Sequence, residues 1–158
     1  MKMRLKGEWD LKVLAINPGS TSTKVAAYEN ETCLWKQGID HPASEINAFE
    51  CVGDQYKYRS ALILKILDDK KTPLESFDGI VGRGGLLNPL EGGTYLVDRN
   101  LVHTLHNAPG GEHASNLGGI IAFHLDQLIK VKSLFDSFLD FGFRKKVITN
   151  QAIEKSEQ

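Results

Sequence analysis

Short apolar runs separated by small polar turns open the chain, and a helical repeat follows them. KVLAIN (12–17) and KVAAYE (24–29) are rich in strand formers and flank a tight polar turn, PGSTST (18–23), which predicts a β-hairpin. ETCLWKQGI (31–39), led in by the turn-prone Glu29-Asn30-Glu31, extends this to a three-strand meander. Val52, Tyr56, Leu62, Ile63, Ile66 and Leu67 then recur at helix-like intervals, predicting a helix from about Gly53 to about Asp69. Pro73 stops it, because proline has no amide proton to give a helix. FDGIVG (77–82) reads as a short buried strand ending in Arg83 and two glycines. Residues 86–97 are irregular around Pro89 and Gly92-Gly93, until TYLV (94–97) gives another strand. Asp98 is placed to cap a helix over 99–107. Ser115 is placed to cap a second one, with Leu117, Ile120, Ile121, Leu125 and Leu128 as its apolar face. Past about Lys130 the pattern weakens, although SLFDSFLDFGF (133–143) is apolar and aromatic.

The strand-rich opening and the later helices describe one mixed α/β domain, and 158 residues suffice for a real core. A formal net charge of -1 gives no electrostatic case for nucleic acid or a membrane surface as partner. No apolar run is long enough to span a bilayer, and the basic start MKMRLKGEWDLK lacks the apolar stretch of a secretory signal. Cys33 and Cys51 stand apart without metal-ligand spacing, as reduced thiols of a cytoplasmic protein do, and no metal site is expected.

Candidate chemistry concentrates in three segments. NPGSTSTK (17–24) joins a side chain that both donates and accepts, Asn17, to Gly19, whose missing Cβ lets a ligand approach the backbone. Ser20, Thr21, Ser22 and Thr23 add hydroxyls and Lys24 a positive charge. The turn lies between two strands and lacks a second glycine, so it is no Walker A loop. A plain hairpin turn remains the alternative reading, but six consecutive turn or hydroxyl residues exceed what a tight hairpin needs. VGRGGLLNP (81–89) sets Arg83 at a strand end, where a guanidinium fork suits a carboxylate or phosphate; a surface salt bridge is the plainer alternative. APGGEHASNLGGIIA (108–122) sets Glu112, His113 and Asn116 at a helix start that attracts anions. There the plainer alternative has Glu112 and Ser115 capping the helix and His113 solvated. His41, His103, His106 and His124 read as structural or exposed. Asp136, after Ser133-Leu134-Phe135, is one carboxylate that could serve a metal, and an ordinary surface aspartate is the competing reading.

In this order, LAINPGSTSTKVA (14–26), DQYKYR (54–59), FDGIVGRGGLLNPLEGGTY (77–95) and GEHASNLGGIIA (111–122) resemble the butyrate kinase and branched-chain acid kinase branch of the acetate kinase family. The resemblance implies a ribonuclease H-like domain of the fold shared by actin, Hsp70 and sugar kinases: a mixed sheet flanked by helices. It implies transfer of a phosphoryl group from ATP, with Mg2+, to a short butyrate-like carboxylate, giving an acyl phosphate. It sets Asn17, Gly19, Ser20, Thr21, Ser22 and Lys24 at the phosphate turn, and Arg83 and Asn116 against the substrate. It gives catalytic roles to Arg83 and His113, and to Asp136 as the aspartate expected after the helix. Homo-oligomers are usual in that family.

The family pattern covers most of residues 12–122 and departs from about Gln127 onward. The expected organisation is therefore a leader over 1–11, an N-terminal carboxylate kinase domain over 12–130 and a divergent or truncated tail over 131–158, without the family's second domain. Two functional readings follow: an ATP-dependent carboxylate kinase in truncated form, or a non-catalytic remnant that keeps an anion-binding module of the same fold.

Overall fold

A computed structural model describes residues 11–87, 94–130 and 145–149. Its opening is the expected meander: β1 (Lys12–Pro18), β2 (Ser22–Glu29) and β3 (Thr32–Asp40), each antiparallel to the next. A single helical turn, α1 (Ala43–Ile46), and a 3-10 turn (Val52–Gln55) lead into α2 (Tyr56–Asp69). The chain returns as β4 (Gly79–Arg83), parallel to β1. β5 (Thr94–Leu96), α3 (Arg99–Asn107) and α4 (Leu117–Lys130) follow, then β6 (Lys145–Thr149). β6 pairs parallel with β4 and antiparallel with β5, so the segment expected as a tail contributes a strand inside the sheet. The strand order is β3-β2-β1-β4-β6-β5. Three antiparallel strands continued by parallel strands through helical crossovers is the ribonuclease H-like arrangement. Among the described residues no helix is long and apolar enough to cross a membrane.

One face of the sheet carries the core. Leu14 and Ile16 of β1, Val25 and Ala27 of β2 and Ile80 of β4 alternate inward and meet Ile63 and Leu67 of α2 and Leu117, Ile121 and Leu125 of α4. The α4 stripe differs at its end from the expected one: Ile129 is buried, and Leu128 is 39% exposed. Asp98 caps α3 as expected, accepting from the Leu101 amide at 2.8 Å. Before α4 the cap is not Ser115 or Glu112. His113 takes that place and its ring nitrogen accepts from the Ser115 amide, because residues 114–116 form a 3-10 turn ahead of the helix. Glu112 instead accepts from the Val52 amide.

Two contacts fix the elements that carry the motifs. The first is a buried cation. Arg59 of α2 is fully buried, and its Nη1 donates to the carbonyls of Gly19 (2.7 Å) and Ser22 (3.2 Å) and to Thr23 Oγ1 (3.0 Å). Its Nε and Nη2 donate to Gln55 Oε1. A planar fork can reach both sides of the β1–β2 turn at once. Burial brings its pKa down to about 10, so it stays charged at neutral pH. Thr23 Oγ1 also bonds His41 Nε2 at 2.7 Å, which anchors the end of β3 on the same cluster.

The second contact is backbone on backbone. A Cβ on Gly82 of β4 would stand 2.0 Å from the Gly118 carbonyl oxygen, and one on Gly118 would stand 2.2 Å from the Arg83 carbonyl oxygen. The glycines let α4 lie directly on the end of β4. Gly85 gives the same clearance to Asn116, whose Oδ1 accepts from the Leu86 amide at 2.7 Å and whose Nδ2 donates to the Gly111 carbonyl at 3.2 Å.

These contacts have measurable consequences. Arg59→Met strips a donor from four acceptors, the Gly19 and Ser22 carbonyls, Thr23 Oγ1 and Gln55 Oε1, and should lower the unfolding free energy in urea by roughly 1–3 kcal/mol. Arg59→Lys should recover only part of that loss, since an ammonium cannot span both carbonyl groups and Gln55. Gly118→Ala forces β4 and α4 apart and should cost roughly 1–3 kcal/mol. Burial, and then the nearby Arg59 charge, hold the His41 pKa below its ordinary 6.5. Burial, and then Lys57, do the same to His124. A lowered folded pKa means that the unfolded chain binds protons first. The stabilisation is therefore complete above 6.5 and is lost as pH falls through the folded values. Urea midpoints measured across that range should fall with acidification, and His41→Gln should make the dependence shallower.

Candidate active site

The end of β1, the β1–β2 turn, the end of β4 and the approach to α4 meet around one open cleft. Its volume is about 590 Å³, and Asn17, Pro18, Gly19, Ser22, Lys24, Arg83, Gly84, Gly85, Leu86, His113 and Ser115 line it. Parallel pairing explains the meeting. β1 and β4 run the same way with Ile16 opposite Gly82, so Asn17 and Arg83 leave the sheet at the same edge. Arg83 Nη1 reaches Asn17 Oδ1 at 3.5 Å. The carboxyl ends of parallel strands are where open α/β sheets take ligands.

The lining is cationic and hydroxylic. Lys24 and Arg83 are exposed, and no Asp or Glu is among the described lining residues. Arg59 adds a buried positive charge behind the turn, on the far side of the Gly19 and Ser22 carbonyls. His113 Nδ1 is 2.7 Å from Ser115 Oγ, so its other ring nitrogen is the atom available to a ligand. Leu86, 43% exposed, and Pro18 give the lining an apolar part.

The residues singled out in the sequence fare differently. Asn17, Gly19, Ser22, Lys24, Arg83 and His113 line the same cleft. Ser20 and Thr21 sit exposed at the tip of the turn, outside the lining. The Gly19 amide donates to the Ser22 carbonyl at 2.7 Å, so the turn closes on itself there. Asn116 is 2% exposed and clamps the 84–86 and 111 backbones beneath the cleft, which makes it a positioning residue rather than part of the lining. Asp136 lies outside the described residues.

Arg59 escaped the sequence reading as an individual residue, although a signal was there. Gln55, Arg59, Ile63 and Leu67 are spaced four apart, so the arginine continues the buried stripe of α2. A charge on an apolar stripe points to a buried partner. Thr23 and His41 belong to the same hidden cluster.

No family model matches the chain. Butyrate kinase 2 of Clostridium acetobutylicum is 48% identical over 111 residues, 70% of this chain and 31% of that protein. A probable butyrate kinase of Clostridium botulinum strain Eklund 17B is 45% identical over 122 residues, 77% of this chain and 34% of its own length. The chain thus spans about a third of the length of the curated relatives it matches. Among solved structures, a propionate kinase of Francisella tularensis superposes over 88% of this chain and 36% of its own, with 16% identity and a TM-score of 0.41. At that distance the fold assignment rests on the strand order instead. The sequence identity is of another order: over the residues it shares with those relatives, this chain is similar to proteins named butyrate kinase.

Proposed function

We propose that the chain carries the anion-holding part of an ATP-dependent carboxylate kinase, acting on a short butyrate-like acid to give an acyl phosphate and ADP. The observation that carries this reading is the convergence of three separate segments, 17–24, 83–86 and 113–115, on one cationic cleft. The butyrate kinase names of the relatives support the same chemistry.

A carboxylate is already a nucleophile at neutral pH, so the reaction needs no strong general base. It needs charge neutralised across the phosphoryl oxygens and the two substrates held in line. Asn17, Gly19, Ser22 and Lys24 would hold the phosphate from the lining, and Ser20 and Thr21 would reach it only from the tip of the turn, with Arg59 raising the positive potential from behind. Arg83 would offer its paired donors to the acid or to the phosphoryl group in transfer, and His113 a further donor. Asn116 would keep the Arg83 loop and the His113 turn in register. Leu86 and Pro18 suit a short alkyl chain. The cleft fits the phosphates of ATP by charge. Mg2+ takes oxygen ligands and commonly binds through phosphates with few protein groups; Ser22 Oγ, Ser115 Oγ and Asn17 Oδ1 are the side-chain oxygens in the lining. The metal would supply charge neutralisation on those phosphates.

A second reading, anion binding without transfer, draws on the absence of any carboxylate among the described lining residues. An acyl-hydroxamate assay with ATP, Mg2+ and butyrate, run on folded protein beside a phosphate-binding titration, separates the two. Under the kinase reading the chain forms hydroxamate, and Arg83→Ala lowers kcat by about 10²–10³-fold, the loss of one charge-stabilising donor. Phosphate binding weakened by Arg83→Ala, with no hydroxamate above blank, would leave the binding reading. Turnover unaffected by Arg83→Ala would overturn the assignment of the cleft.

A further inference from the structure

Away from the cleft, the fold brings together a sulfur, a nitrogen and an oxygen that are far apart in sequence. Cys51 and Asp54 lie on the turn into the 3-10 segment before α2, closed by the Asp54 amide donating to the Cys51 carbonyl at 3.2 Å. Against this turn packs His106, from the last turn of α3. Its Nε2 lies 2.8 Å from Asp54 Oδ1 and 4.0 Å from Cys51 Sγ, and the three donor atoms all fall within 4.8 Å of one another. One nitrogen thus faces both partners. In a catalytic Cys–His–Asp relay, opposite ring nitrogens would face the thiol and the carboxylate. Three donors converging on one point suit a metal ion.

We propose that Cys51, Asp54 and His106 bind a divalent transition metal of borderline softness, such as Zn2+, with a fourth position open to solvent. The donor set is of the kind zinc takes, thiolate, imidazole and carboxylate. Zinc bonds of about 2.0–2.3 Å place tetrahedral donors roughly 3.3–3.8 Å apart, and the spacings here bracket that range. Small side-chain shifts close the difference. Access is open, since the His106 and Asp54 side chains are 35% and 43% exposed. The backbone is shaped to admit the ring: a Cβ on Gly53 would stand 2.6 Å from His106 Cδ2. The three ligands come from two elements, so the metal would tie α3 to the start of α2. None of them lines the Arg83 cleft.

Co2+ reports on such a site directly, through thiolate-to-cobalt charge transfer in the near ultraviolet and visible bands of four-coordinate geometry. The test uses the full chain carrying Cys33→Ser, which removes the exposed second thiol. Addition of Co2+ should give both features, and Zn2+ should displace the Co2+ and abolish them. Cys51→Ser should abolish the charge-transfer band while circular dichroism confirms the fold. His106→Gln and Asp54→Asn should each weaken Co2+ affinity roughly 10–100-fold, the range found even for groups that only support a metal ligand. Zn2+ should also raise the melting temperature of the parent and not of Cys51→Ser, because an ion bound only to the native state stabilises it. A folded parent that shows no thiolate band, or a band that persists in Cys51→Ser, would overturn the proposal and leave Asp54–His106 as a plain hydrogen-bonded pair.

Discussion

A single buried guanidinium organises the phosphate turn. Without Arg59, the Gly19 carbonyl would lose its donor and the Ser22 carbonyl would keep only the Gly19 amide, so the hydroxyl-rich bend would lose its tie to α2. Buried polar groups are tolerable only when paired, so the arrangement is close to all-or-none. Gln55, Thr23 and His41 complete the set, tying α2, β2 and the end of β3 to the turn. The same charge that satisfies these acceptors stands behind a cleft lined by Lys24 and Arg83. Structural and electrostatic roles therefore coincide in one side chain.

The other half of the cleft depends on the absence of side chains. Gly82 and Gly118 let the start of α4 rest on the backbone of β4, and Gly85 leaves the space that Asn116 fills. Arg83 and His113 are consequently set by backbone contacts, which deform little. The glycines of the GRGG and NLGG segments serve packing at these positions, and the anion site follows from where that packing leaves the neighbouring side chains.

Much of this was readable from sequence, and the gaps have physical causes. Strand alternation in 12–40 and helical spacing in 53–69 and 117–129 are local signals, and they gave the meander, α2 and α4 to within about three residues at each end. What a side chain meets across the fold is not local. Arg59, flanked by Tyr58 and Ser60, looks like a solvated face until its spacing from Ile63 and Leu67 is counted. Glu112 and Ser115 have the composition of caps, yet the 3-10 turn hands that place to His113 and frees Glu112 to bind the Val52 amide. Cys51 has only Asp54 of its two proposed partners near it in sequence, because His106 comes from a helix 55 residues on. The strand at 145–149 carries few apolar residues, and its place between β4 and β5 follows from pairing that no periodicity announces.

The central claim is that the turn, the guanidinium of Arg83 and the imidazole of His113 share one anion. Backbone amide resonances followed by NMR during a phosphate titration test it most directly. Shifts that saturate together at Ser20 to Lys24, Arg83 to Leu86 and His113 to Ser115 are the predicted result. A folded chain whose saturating shifts fall elsewhere, or on the turn alone while Arg83 and His113 stay still, would contradict it.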